Sequence, residues 1–354
     1  MAGLRIALVG AGNIADRYAA AIARVDELEL AGATDLDPVR AEALVGAFGG
    51  RAYLHLADAL ADDAVDAIVN LTVPQAHAEV TATALEAGKH VHSEKPLALR
   101  HADAVRLVSL ARERGLRLSS APATLLGEAQ QTLWKHVREG VVGRVRAVYA
   151  EANWDRVERW HPDPRSLYDV GPVVDVGVYP ITILTAMFGP VRSVGAYATM
   201  LEPDRVLLDG TAFTPAAPDF VVALLQHEEG VVSRLTASFY VGPCKQRGLE
   251  VHGDEGSLYM PTWAEANSRL ELQPRGGDYA AIAPVREPFP GTDWSRALVD
   301  LAQAIAEGRP HRAGAEHAAH VVEVLEAVQT SSRDGGSVVV RSSFPIPQPM
   351  DWAR

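Results

Sequence analysis

Residues 4–15 read Leu4-Arg5-Ile6-Ala7-Leu8-Val9-Gly10-Ala11-Gly12-Asn13-Ile14-Ala15. Leu4 to Val9 is a short apolar run stopped by glycine, the pattern of a buried strand. Asn13 to Arg24 is alanine-rich and helix-like. Between them lies G-x-G-x-x-A, the spacing of a dinucleotide-binding turn. Gly10 permits the tight turn, Gly12 lets backbone approach a pyrophosphate, and Ala15 lets helix pack close on strand. The helix that follows offers free N–H groups and the positive end of its dipole to phosphates. Gly10, Ala11, Gly12, Asn13 and Ile14 are therefore candidate cofactor contacts.

Asp35 stands 20 residues past Ala15, at the end of a second strand-like run, Leu28 to Ala33. A carboxylate there accepts both ribose hydroxyls and repels a 2′-phosphate, which favours NAD over NADP and leaves NADP open. The plainer alternative is that Asp35 or Asp37 caps the next helix.

Working outward, strand-like runs at Arg51–Leu54, Val65–Leu71, Lys89–His92 and Arg117–Ser120 alternate with helix-like stretches at Pro38–Phe48 and Ala76–Ala87 and one running through Arg114. Such alternation predicts a parallel sheet with crossovers on both faces. Residues 1–123 are read as an α/β Rossmann domain. After a helix at Thr124–Glu139 the pattern changes. Strand-like runs follow at Val145–Ala152, Val191–Ala198, Phe220–Gln226, Val231–Phe239, Leu249–His252 and Ser257–Tyr259, with a hairpin turn at Glu228-Glu229-Gly230. Helices are expected at about Val174–Phe188, Asp293–Glu307 and Ala315–Ser332, and a loop at Glu202–Asp219. Residues 124–354 thus read as an α+β domain with a large, mostly antiparallel open sheet.

The chain has 354 residues, 48% apolar and 22% charged, with a formal net charge of −12. This is the balance of a globular protein, not of a disordered chain. The acidic balance argues against nucleic acid and anionic membranes as partners. A single cysteine, Cys244, rules out an internal disulfide and a cysteine-rich zinc site; it reads as a small buried hydrophobe. His311, Arg312, His317 and His320 suggest a metal cluster, and His317 and His320 are i, i+3 on a predicted helix, but no carboxylate or cysteine is placed with them, so no metal is expected. With no apolar run near the ~20 residues of a membrane span and no signal-peptide layout at its start, the expectation is a cytoplasmic protein.

Hydride transfer at a carbinol or carbonyl carbon needs a group that moves the proton on oxygen and a donor or cation for alkoxide character. Lys95 falls at the carboxyl edge of the predicted sheet, where open α/β folds bind ligands; a solvated surface lysine is the plain alternative. Asp175 and Tyr179 are spaced i, i+4 on a predicted helix and so share one face.

Glu94-Lys95-Pro96 carries a resemblance. With the glycine turn, Thr72-Val73-Pro74-Gln75-Ala76-His77 and Ala87-Gly88-Lys89-His90-Val91, the chain resembles the Gfo/Idh/MocA oxidoreductases over Leu4 to about Val340. Ala121–Gly127, Trp160–Pro164 and Gly308–Ala313 resemble one sugar-oxidoreductase-like branch. The resemblance implies a NAD(P)-dependent enzyme acting on a sugar, a cyclic polyol or a related hydroxyl compound. It places Thr72, Val73, His77, Glu94 and Lys95 near the cofactor, with a helix-surface histidine as the alternative for His77. Gly171–Tyr179 resembles the family's glycine-rich run followed by D-x-G-x-H, with two departures: only Gly171 remains of the frequent triplet, and Tyr179 replaces the usual histidine.

Tyr179 can pass a proton, from an unperturbed pKa of about 10 that a nearby ammonium would lower; a core aromatic is the alternative. Lys95 is then oxyanion stabiliser or proton donor, Tyr179 the relay, and Asp175 the group orienting Lys95 or a substrate hydroxyl. Trp154, Arg156, Trp160 and His161 are substrate candidates that could equally fix a loop or a subunit contact. A homodimer or homotetramer through the second domain's sheet is also implied. Two rivals stay open: an enzyme that retains NAD and uses a transient oxidation for elimination or glycoside cleavage, and a non-catalytic nucleotide sensor.

Overall fold

The computed structural model describes residues 3–354. Two compact units emerge. The first holds residues up to Ala123 together with Asp293–Val322, and the second holds Thr124–Thr292 and Glu323–Arg354. Asp293–Val322, which the sequence places with the second domain, therefore packs in the first.

The first unit is built on β1 (Leu4–Val9), β2 (Leu28–Thr34), β3 (Arg51–Ala52), β4 (Ala67–Asn70), β5 (His90–Ser93) and β6 (Leu118–Ser120). They form one sheet in the order β3-β2-β1-β4-β5-β6. All five pairings are parallel. Sequential strands in a parallel sheet need crossovers, supplied by α1 (Ala15–Ile22), α2 (Pro38–Phe48), α3 (Leu56–Ala61), α4 (His77–Glu86) and α5 (His101–Glu113). The core lies on both faces, one layer around Ile68, Leu85, Val91 and Leu107, the other around Ile6, Leu8, Tyr18 and Ile22. Leu298 of a later helix, α9 (Arg296–Glu307), closes the second layer. Ala315, Ala319 and Val322, from the start of the last helix (Ala315–Asp334), close the first.

Register decides where chemistry can gather. Val9 pairs with Thr34 and with Asn70, Asn70 with Ser93, and Ser93 with Ser120. The strands therefore end in line, and the residues just beyond them (Gly10, Asp35, Thr72, Glu94 and Lys95) emerge along one carboxyl edge.

In the second unit, α6 (Glu128–Arg138) precedes β7 (Val145–Asn153). A short helix, α7 (Arg165–Val170), then leads through a π-helical turn at Val173–Gly177 into α8 (Val178–Phe188). The remaining strands are β8 (Val191–Thr199), β9 (Arg205–Val206), β10 (Ala212–Phe213), β11 (Phe220–His227), β12 (Val232–Ser238), β13 (Gly248–Gly253), β14 (Gly256–Met260), β15 (Leu270–Pro274), β16 (Ala280–Ile282) and β17 (Ser337–Val339). Nine strands form one sheet, in the order β16-β15-β14-β13-β7-β12-β11-β8-β17. Only β7 and β12 run parallel; every other pairing is antiparallel. β9 and β10 form a separate hairpin inside the stretch read as a loop.

The π-turn corrects one expectation. Asp175 and Tyr179 do not sit on a single regular α-helix: Asp175 lies in the π-turn, and Tyr179 is the second residue of α8. The wider turn changes the angle between them that i, i+4 spacing assumes. Such turns recur at functional sites.

Candidate active site

The nucleotide turn is held by main chain. The Gly10 amide donates to the Thr34 carbonyl at 2.8 Å. Gly10 has φ +98°, and a Cβ there would stand 2.9 Å from the Leu71 carbonyl. A Cβ at Gly12 would meet nothing within 4 Å, so backbone there faces open space. Helix α1 begins with no side-chain cap at Ile14; its Ala15 amide donates to the Gly12 carbonyl at 3.0 Å and its Arg17 amide to the Ile14 carbonyl at 3.1 Å. These residues fit the diphosphate of a dinucleotide, which needs N–H donors, a dipole end and room at a glycine.

Asp35 does more than the sequence suggests. Its Oδ2 accepts the Ala11 amide at 2.6 Å and its Oδ1 the Asp37 amide at 2.9 Å. Asp37, not Asp35, caps α2, accepting the Val39 amide at 3.1 Å. One carboxylate thus ties the end of β2 to the glycine turn.

Next along the edge, Asn70 organises the Thr72 loop. Its Oδ1 accepts the Thr72 hydroxyl at 2.6 Å, and its amide donates to Thr81 Oγ1 and the His77 carbonyl. Val73 is half exposed. His77 is buried rather than on the helix surface, with Nδ1 2.7 Å from the Pro96 carbonyl and Nε2 2.9 Å from the Thr72 carbonyl. Burial pushes its pKa below the usual imidazole value. The Glu94 carboxylate, also buried, is spent inside the protein: Oε1 accepts the Tyr18 hydroxyl at 2.7 Å and Oε2 the Lys95 amide at 3.1 Å. Lys95 itself is part-exposed. Sequence reasoning missed Tyr18, which no spacing rule connects to Glu94.

In the second unit, Asp175 is buried and Tyr179 part-exposed. The Tyr179 ring lies 4.8 Å from that of Trp263. Trp154, 41% exposed, stacks on the same indole at 6.1 Å. The structure thus brings Tyr179 and Trp154 to one aromatic cluster through a residue that carries no motif. The other substrate candidates separate from it. Arg156 donates to Glu202 Oε2 at 2.7 Å and lies 4.3 Å over the Tyr240 ring. Trp160 is exposed, its ring 5.6 Å from that of His161, while His161 Nδ1 accepts the Asp163 amide.

Beneath the loop from Trp154 to His161, Arg205 is fully buried between Glu158 and Asp219, at 2.8 and 2.7 Å. Tyr168 joins this network through its hydroxyl, which donates to Glu158 and accepts from Arg205. Burial and Glu158 raise the phenol's pKa. Cys244 is part-exposed rather than buried, its thiol donating to the Gln246 carbonyl at 2.7 Å. Among the described residues, no three His, Cys, Asp or Glu side chains gather at metal-binding distance, and no helix is long and apolar enough to cross a membrane.

Residues 4–121 match the oxidoreductase family model with an NAD-binding Rossmann fold, and residues 130–259 match the GFO/IDH/MocA C-terminal domain. The chain is 28% identical over 341 residues to a dTDP-3,4-didehydro-2,6-dideoxy-alpha-D-glucose 3-reductase of Actinomadura kijaniata, covering 94% of this chain and 96% of the relative. It is 25% identical to a D-apiose dehydrogenase of Paraburkholderia graminis, covering 95% and 89%. The crystal structure of the 3-ketoreductase from Actinomadura kijaniata, in complex with NADP and TDP-benzene, superposes with a TM-score of 0.78 at 26% identity, covering 93% and 97%. An aldose-aldose oxidoreductase from Caulobacter crescentus shares the fold with a TM-score of 0.83 at 22% identity, covering 95% and 99%. A glycine turn held at the sheet's carboxyl edge, the Glu-Lys-Pro segment beside it and both matched domains lead to one conclusion: the chain belongs to the Gfo/Idh/MocA family of NAD(P)-dependent oxidoreductases.

Proposed function

We propose that this protein moves a hydride between a nicotinamide and the carbinol or keto carbon of a sugar or cyclic polyol, with Lys95, Asp175 and Tyr179 handling the proton on oxygen. The observation that carries the reading is the strand register, which brings Lys95 to the edge that also carries the glycine turn and Asp35. The relatives named as a sugar reductase and a sugar dehydrogenase support the substrate class.

The bound nicotinamide supplies or accepts the hydride; the chain's own residues do the rest. The Lys95 ammonium stabilises alkoxide character, as a donor placed where charge develops. Tyr179 relays the proton through its phenol. Asp175 orients Lys95 or a substrate hydroxyl. Gly10, Ala11, Gly12, Asn13 and Ile14 present main chain to the diphosphate, Asp35 takes the adenosine ribose, and Thr72, Val73, His77 and Glu94 shape the nicotinamide end. Trp154 is the substrate contact its cluster best supports, and Arg156, Trp160 and His161 shape the loop beside it.

The test begins with parallel titrations by NADH and NADPH, followed by energy transfer from the six tryptophans. Hexoses, cyclic polyols and nucleotide-linked keto sugars are then screened with the preferred nucleotide. Binding of neither nucleotide would end this reading, as would full turnover in Lys95→Ala.

We also infer a homo-oligomer through the outer sheet face. Tyr197 pairs with Val222, two residues before Leu224; Leu224 pairs with Arg234, and Arg234 with Tyr149. All therefore point to one side. Tyr197, Leu224 and Tyr149 are 65%, 54% and 41% exposed, a patch of the kind that marks interaction surfaces. Light scattering at micromolar protein checks this, and a monomer refutes it. A cytoplasmic location completes the reading.

A further inference from the structure

Trp263 lies between β14 and β15 and is 5% exposed. Its Nε1 donates to the Glu151 carbonyl of β7 at 3.0 Å. Its own carbonyl accepts the Gln130 side-chain amide at 3.0 Å, and Gln130 also donates to the Glu265 carbonyl. The Ala129 amide donates to the Ala266 carbonyl at 2.9 Å, the Ala264 amide to Thr262 Oγ1, and Thr292 Oγ1 to the Ala264 carbonyl. Ring and main chain are thus fixed from α6, from β7 and from within the loop. The Tyr179 ring lies against this held indole at 4.8 Å with 31° between the planes, and Trp154 lies against it at 6.1 Å with 26°.

We propose that Trp263 is the positioning residue of the site: its buried indole sets the plane of the Tyr179 phenol and, through the same stack, the plane of Trp154 as a wall facing substrate. The inference rests on the reading of Tyr179 as proton relay. A phenol passes a proton efficiently only when its oxygen is held near the reacting oxygen, and a shift of about 1 Å costs up to ~10²-fold in rate. Tyr179 sits in the first turn of a helix entered through a π-turn, and its ring packs on the held indole of Trp263. Trp263 is held from three sides, and it touches both aromatic rings the site would use.

The test is a double-mutant cycle on the full chain, with thermal melts to verify folding. The four proteins are wild type, Tyr179→Phe, Trp263→Leu and the double variant. Trp263→Leu is expected to lower kcat about 10-fold and raise KM for the sugar, with KM for the nucleotide unchanged. In the Tyr179→Phe background the same substitution lowers kcat by less than about 2-fold, because residues acting as a unit are not additive. Trp263→Phe, which keeps a ring, recovers most of the loss. Losses that multiply in the double variant overturn the inference while leaving Tyr179 as relay. Full turnover in Tyr179→Phe overturns the relay reading itself, and the positioning role with it. If the leucine variant does not fold, Trp263→Phe carries the cycle, with a shift of about 3-fold that must vanish in the Tyr179→Phe background.

Discussion

The carboxyl edge of the parallel sheet and the aromatic cluster of the second unit are built from different materials. The edge is mostly main chain: the Gly10 amide on Thr34, the Ala11 amide on Asp35, the Lys95 amide on Glu94. The cluster is side chains from the residue after β7, from α8 and from the loop after β14, meeting at Trp263. A main-chain site is set by local conformation, so glycines and short spacings record it. A side-chain site is set by packing between distant stretches, which leaves no spacing to find. The first should fail when a Cβ or a charge is added, and the second when a ring is removed.

The largest effects separate the two regions by step. Lys95→Ala is expected to lower kcat by about 10³-fold, the scale of losing a transition-state donor, with nucleotide affinity within about 3-fold. Tyr179→Phe should cost about 10²-fold, the scale of one proton-transfer group. Steady-state kinetics with the nucleotide titrated separately checks both. If either variant lost nucleotide binding instead, the division between a cofactor edge and a proton-handling group would be misplaced.

Gly10 and Gly12 sharpen the claim about main chain. Gly10→Ala puts a Cβ at positive φ and 2.9 Å from a carbonyl. Strain and overlap together should destabilise the fold by about 3 kcal/mol. Gly12→Ala meets no protein atom within 4 Å, so its melting temperature should hardly move while nucleotide affinity falls about 10-fold. Equal effects on folding from both would show that the space at Gly12 is not where the diphosphate lies.

Acid should act on the first unit through its buried histidines, His92 and His317 foremost. Burial lowers His92 to about 4, and burial with His320 beside it lowers His317 to about 3. Both folded values lie below the unfolded value of about 6.5. The unfolded chain therefore binds protons first as pH falls, and stability drops from about pH 6.5 downward until the folded values are reached. At pH 5 each histidine should cost about 2 kcal/mol relative to pH 7.5. Denaturant melts across that range read the slope, and His317→Leu should remove its own share, about 2 kcal/mol between pH 7.5 and pH 5. A flat profile would mean that the histidines are already charged when folded.

How much could be read in advance follows from the same contrast. The Rossmann unit was legible because its strands are continuous apolar runs between small turn residues, and because Gly10, Asp35 and Lys95 each follow a strand end. The second unit's longer strands were legible from apolar runs such as Phe220–Gln226, but β15, β16 and β17, each of five residues or fewer, were not. The hairpin at Arg205 and Ala212 hid in a polar stretch because its anchor is a buried guanidinium with partners at Glu158 and Asp219. Trp263 had no local signal at all: its partners come from Gln130, Glu151, Trp154 and Tyr179. His77 and Glu94 were placed near the cofactor by resemblance, yet the contacts that hold them are internal.

The smallest expected effect bears most directly on which nucleotide is used. Kinship does not decide it, since the ketoreductase structure holds NADP and the matched domain model is described as NAD-binding. Asp35 offers a charge that repels a 2′-phosphate, but the same carboxylate holds the Ala11 and Asp37 amides. Asp35→Asn removes the charge and keeps one acceptor oxygen. If charge sets the choice, the NADH-to-NADPH affinity ratio should fall about 10-fold, because a unit charge a few ångströms from a phosphate is worth about 1 kcal/mol or more at the protein surface. If Asp35 serves only to tie β2 to the glycine turn, both affinities should fall together and the ratio should stay. The ratio therefore separates a carboxylate that reads the ribose from one that merely shapes the main chain, which is the one point on the edge where side chain and backbone share the work.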